Sequence, residues 1–161
     1  MVFTADHRTQ VPRRAADKTS IPAAPAPRTH QFAAAYRQVG TETAVSGASP
    51  HKLVAMLFDG FMDTLAQAKG AMRAGRIEAK CQAISKAVRI VDEGLRGGLD
   101  LRGGGKLAQD LYDLYGYLVM RLTLCNVRND EAGLDECQRL MQPLREAWIS
   151  IAPQADNGTL R

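Results

Sequence analysis

The sequence predicts an all-α fold, an antiparallel up-and-down bundle of four helices over residues 49–152. Three observations predict it. Apolar residues recur at spacings of three and four through four successive segments. Short connections rich in glycine or carrying Asn129-Asp130 separate those segments. Aromatic residues make up only 6% of the chain while apolar types reach 45%, a balance that suits helix packing better than a sheet.

The first helix opens at Ser49-Pro50. Serine is a good N-cap, and proline fits the first helical position, where its missing N–H would be unpaired anyway. Leu53, Leu57, Phe61, Leu65, Ala68 and Met72 form its seam, and Gly75 supplies the C-terminal cap. The second helix carries Ile77, Cys81, Ile84, Val88, Val91 and Leu95, with Gly94 weakening it near its end. Gly97-Gly98 and Gly103-Gly104-Gly105 bracket the next connection, read as a flexible interhelical turn. The third helix carries Leu107, Leu111, Leu114, Leu118, Leu122 and Cys125. Asp130 then caps a fourth, with Leu134, Cys137, Met141, Leu144, Trp148 and Ile151 as its seam. Pro143 inside that pattern predicts a kink, and Pro153 ends the helix. Trp148, at a seam position, is expected in the core.

Outside the bundle the period changes. Residues 1–30 interleave Pro12, Pro22, Pro25 and Pro27 with Ala, Arg and Thr, which predicts a disordered arm. Residues 31–48 form a cap segment with a short helix, marginal on its own, that sets Phe32, Tyr36 and Val39 on one side. Residues 153–161 are a polar, flexible tail.

Charge and composition narrow the function. The net charge of +4 sits mainly in the arm, where Arg8, Arg13, Arg14, Lys18 and Arg28 face only Asp6 and Asp17. The folded part is therefore close to neutral and carries no basic footprint for nucleic acid. No apolar run approaches the roughly 18 residues that span a bilayer, and the N-terminus lacks the apolar core of an export signal. Three cysteines without a CxxC spacing, each on an apolar face, fit buried thiols in the reducing cytoplasm.

No reaction chemistry emerges. His7 and His30 lie in the arm, and His51 falls in the first turn of a helix, where it is expected to face solvent. None has a glutamate three residues before it, so the pairing that builds metal sites in bundles is missing. The glycines around Lys106 do not form a phosphate loop, because a helix rather than a strand precedes them. The expectation is a protein with no cofactor, no metal and no enzymatic activity, working by binding.

The apolar residues left over from the seams indicate where. Tyr112, Tyr115 and Val119 lie to one side of the third seam, Tyr117 and Leu124 to the other. Val54, Phe58 and Met62 lie toward or beyond one edge of the first seam. Either the third helix is the most central one, or a groove between helices accepts a partner helix. Arg121 sits beside the seam, where its stem packs and its charge reaches outward.

An ordered set of motifs resembles a known family. Tyr36 precedes Ser49-Pro50-His51-Lys52-Leu53-Val54-Ala55-Met56-Leu57-Phe58-Asp59-Gly60, which is similar to the N-terminal tyrosine and S-P-x-x-L-hydrophobic-x-x-L-Y-D-G signature of the flagellar secretion chaperone family FliS. Leu99-Asp100, then Leu107-Ala108, Leu111-Tyr112, Leu114-Tyr115 and Tyr117, resemble its third-helix pattern, and Asn126 and Leu144-x-x-Ala147-Trp148 follow in order. The likeness runs from about residue 31 to 151. It departs at Phe58, where the family usually has tyrosine, at Cys125, where a small alanine is usual, and in the long arm.

The resemblance implies a cytoplasmic export chaperone whose client is the disordered C-terminal segment of flagellin. It implies further contacts with a component of the flagellar export gate and with a flagellar regulatory protein. It also implies that the N-terminal segment covers part of the client surface until flagellin displaces it. Tyr36, Val54, Phe58, Tyr112, Tyr115 and Val119 are the expected client-binding residues. The competing expectation is a structural or regulatory bundle that dimerises through its surplus apolar stripe.

Overall fold

The computed structural model describes residues 47–152. They form helices α1 (Pro50–Arg73), α2 (Ile77–Arg89), α3 (Gly105–Arg128) and α4 (Glu131–Ser150), with a π-helical stretch, Ile90–Arg96, continuing α2. Each helix packs on its sequence neighbour, and α4 closes the ring against α1, the arrangement of an up-and-down four-helix bundle. The disordered arm, the cap segment with Tyr36 and the tail expected from the sequence lie outside the described residues.

The helix ends follow from their sequences. The Ser49 hydroxyl accepts a hydrogen bond from the Lys52 N–H at 3.2 Å. At the other end of α1, Gly75 takes a left-handed φ of 65°. Its N–H then reaches the Met72 carbonyl at 3.1 Å, and the Arg76 N–H reaches that of Ala71 at 2.9 Å. This paired arrangement satisfies carbonyls the helix leaves open. Asp130 caps α4 as expected, its carboxylate accepting from the Gly133 N–H at 2.9 Å. The glycine-rich connection is tied down by Asp100, whose carboxylate accepts from the Arg102 N–H at 3.1 Å and whose carbonyl accepts from that of Gly104 at 2.8 Å.

The core runs through all four helices. Leu57, Phe61 and Leu65 of α1 meet Ile84 and Ala87 of α2, Leu118 and Leu122 of α3, and Leu134, Cys137 and Met141 of α4. Two seams differ from the heptad expectation. On α2, Ile77 is 71% exposed and Cys81 half-buried, whereas Lys80, Ala83 and Ala87 are buried. The reason is the close packing of α1 on α2, which small side chains permit and larger ones would block. The π-helical stretch then lets Ile90 and Val91 both point inward. Gly94 belongs to that close approach, since a Cβ there would sit 3.1 Å from the Leu57 methyls.

On α3 the inward face is Ala108, Tyr115, Leu118, Leu122 and Cys125, while Leu107 is 70% exposed. Buried Lys80 is satisfied by the end of α3. Its ammonium donates to the Asn126 carbonyl at 2.8 Å and to Asn129 Oδ1 at 2.6 Å. A cation at a helix C-terminus also meets the negative end of the helix dipole. Pro143 stands at an exposed position of α4, and the helix continues through it.

Candidate functional site

At the end of the bundle where α1 begins and α4 finishes, the helices leave an apolar groove with a volume of ≈ 390 Å³. α1 contributes Val54 and Phe58, and the end of the π-helical stretch contributes Leu95. Gly98 and Leu99 come from the loop. α3 supplies Leu107, Leu111 and Tyr115, and α4 supplies Leu144, Ala147, Trp148 and Ile151. The floor is Phe58 and Tyr115, both almost fully covered. The rim is Val54, Leu99, Leu111, Leu144 and Trp148, all half-buried, with Leu107 standing largely in solvent.

The floor is chemically inert. Burial pushes the Tyr115 hydroxyl up to about 12, so it stays protonated at any physiological pH. The rim has a polar fastening. Trp148 Nε1–H donates to the His51 carbonyl at 2.9 Å, and His51 Nε2 lies 2.8 Å from the Trp148 carbonyl. Their rings stack with centroids 5.0 Å apart and planes 6° off parallel. His51 therefore does not face solvent, and Trp148 is a groove wall rather than a core residue. Just above, Arg145 of α4 pairs with Asp59 of α1 at 2.7 Å.

The six client-binding residues expected from the sequence separate. Val54, Phe58 and Tyr115 come together in the groove. Tyr112 turns to the π-helical stretch, where the Arg96 guanidinium carbon lies 4.0 Å from its ring centroid. Val119 packs half-buried against the core. Tyr36 lies outside the described residues. Leu107 and Leu111, read as seam, are instead groove residues, as are Leu144 and Trp148. Their spacing gave no signal of this, because a seam and a groove share one helical period. At this end of the bundle the neighbouring helices leave Leu107 exposed and Leu111, Leu144 and Trp148 only half-covered.

A larger depression of ≈ 480 Å³ lies between α1 and α2, lined by Gln67, Gly70, Ala71, Arg76, Ala79, Gln82, Ala83 and Lys86. An apolar helix laid there would desolvate amides and cations without pairing them, which is costly. The groove at the α1 N-terminus is thus the better seat for an apolar partner. Among the described residues no cluster of His, Cys, Asp and Glu suits a metal, and no helix is long and apolar enough to cross a membrane.

A family model described as flagellar protein FliS matches residues 32–155. The chain belongs to the FliS family. Flagellar secretion chaperone FliS of Salmonella typhimurium is 45% identical over 121 residues, covering 75% of this chain and 90% of that protein. FliSB of Pseudomonas aeruginosa is 42% identical over 117 residues, covering 73% and 92%. FliS of Escherichia coli is 41% identical over 114 residues, covering 71% and 84%. The FliS match takes in all four helices and every groove residue. It also takes in Tyr36, so the FliS likeness extends ahead of the described bundle. A role as a flagellar secretion chaperone fits a bundle that carries an apolar groove at one end.

Proposed function

We propose that this protein is a cytosolic export chaperone that binds the disordered C-terminal segment of flagellin, prevents its premature polymerisation and assists its delivery to the flagellar type III export apparatus. The observation that carries the reading is the groove that gathers Val54, Phe58 and Tyr115 with Leu107 and Leu111. An amphipathic client helix would lay its apolar face there, ordering as it binds. The segment bearing Phe32, Tyr36 and Val39 joins α1 at Ser49, at this same end of the bundle. It is the candidate cover for the groove before flagellin arrives. Contacts with an export-gate component and a regulatory protein belong to the same reading.

Calorimetric titration with flagellin, and with flagellin lacking its C-terminal segment, tests it. Binding only to the full-length client, with a negative heat-capacity change, is the expected outcome. Leu111→Asp should weaken that binding by about 1.4–2.7 kcal/mol, roughly 10- to 100-fold, by setting a charge against apolar client surface. Equal binding of both flagellins would overturn the assignment. Self-association is the second reading, favoured by Met120 and Val127, 52% and 76% exposed on α3. A stable dimer with no affinity for flagellin would support it instead.

A further inference from the structure

The fastening between His51 and Trp148 joins the first turn of α1 to the last turns of α4. Those last turns carry one complete wall of the groove: Leu144, Ala147, Trp148 and Ile151. Within α4 the last turn is tied locally by the Ser150 hydroxyl, which donates to the Ala147 carbonyl at 2.7 Å. The last turn holds no basic residue, and the Ile151 N–H reaches only back to the Ile149 carbonyl. The final carbonyls of a helix lack intrahelical partners, and the Trp148 carbonyl is one of them. His51 Nε2 meets that carbonyl at 2.8 Å, so the ring acts as its cap in the tautomer carrying hydrogen on Nε2. In return the indole N–H is satisfied by the His51 carbonyl at 2.9 Å. Stacking at 5.0 Å then leaves the indole one orientation, flat against the imidazole.

We propose that His51 is a positioning residue for the groove: by capping α4 and stacking on Trp148, it holds the α4 wall in place for an incoming amphipathic segment. A wall set before binding spares the complex the entropy of ordering it. Without His51 the indole gains rotamers, the last turn of α4 frays, and the groove must be rebuilt each time a client binds. This inference rests on the reading of the groove as the flagellin site.

The test compares wild type, His51→Ala, His51→Phe and Leu111→Asp for flagellin affinity, melting temperature and the near-ultraviolet dichroism of Trp148, the only tryptophan. His51→Ala should bind flagellin about tenfold more weakly as a folded protein, through lost preorganisation, and lose the tryptophan dichroism band. His51→Phe keeps a stacking ring without the cap, and should restore the band and part of the affinity. A residue that merely stabilises the fold would lower the melting temperature and leave the affinity of the folded protein unchanged. Wild-type affinity and dichroism in folded His51→Ala, with Leu111→Asp defective, would overturn the inference alone. Wild-type binding by Leu111→Asp would overturn the groove reading beneath it. If His51→Ala does not fold, His51→Phe decides: affinity between threefold and tenfold below wild type, roughly, supports the role of the cap, and wild-type affinity overturns it.

Discussion

Gly133 shows how little room the α3–α4 corner leaves. A Cβ on it would lie 2.5 Å from Cys125 Sγ and 2.7 Å from Arg121 Cζ. Gly133→Ala should therefore destabilise the protein by about 1–3 kcal/mol, the usual range for overpacking, as a lower urea midpoint. The thiols make a second prediction at this scale. Burial above all pushes the Cys137 thiol up to about 12, and burial also raises Cys125. Cys81 is only half-buried, its Sγ–H directed at Asn126 Oδ1 at 3.4 Å. Since the thiolate is the reactive form, a disulfide reagent at pH 8 should modify Cys81 in the native protein. Cys125 and Cys137 should react only after denaturant is added.

The α3–α4 corner is also an electrostatic element. Arg121 pairs with Asp130 and Glu136, both at 2.8 Å, and the Tyr117 hydroxyl donates to Glu136 as well. The Gly133 N–H, then Arg121, hold the Asp130 carboxyl below the usual carboxylate range. The Tyr117 hydroxyl, then Arg121, do the same for Glu136, and Lys69 does it for Asp135. Groups depressed on folding contribute stability above their unfolded values, near 4, and lose it as pH falls through the folded values. Urea midpoints should therefore drop as pH is lowered from about 5 toward 3. Arg121→Gln should lower the midpoint at pH 7 and flatten this acid dependence. An unchanged slope would show that the corner does not govern it. This half-buried network remains in reach of solvent and is partly screened by salt, so the effect should shrink at high ionic strength.

Across the whole molecule, α1 is held to α4 by a series of side-chain ties. Arg73 pairs with Glu131, Lys69 with Asp135 at 2.9 Å, Arg145 with Asp59 at 2.7 Å, and His51 with Trp148. At the groove end α3 has weaker moorings. Its N-cap Gly104 gives no side-chain hydrogen bond, Leu107 is exposed, and Arg96 lies over the Tyr112 ring. On the proposed reading, the first turns of α3 are the wall expected to adjust to a client. Hydrogen exchange with and without flagellin should show new protection concentrated in residues 105–112, little in the α1–α2 turn at the opposite end. Uniform protection along all helices would mean general stabilisation in place of groove occupancy.

The four helices, their caps and their order were legible in the sequence because each is written locally. Ser49-Pro50, Gly75 and Asp130 act within a few residues of themselves, and a 3.6-residue period reports one buried face whatever covers it. The family likeness was legible for the same reason, as an ordered string of such motifs. What faces what was decided only by tertiary structure. Close packing of α1 on α2 chose Ala83 and Ala87 over Ile77 for the interface. At one end Leu107 and Leu111 line a groove in place of the seam, together with Val54, Phe58 and Tyr115, while Tyr112 and Val119 lie elsewhere. His51 read as a solvent-facing residue because its partner is Trp148, at the far end of the described chain. A helical period fixes which side chains share a face. The cover over that face depends on how neighbouring helices cross, which distant residues determine together.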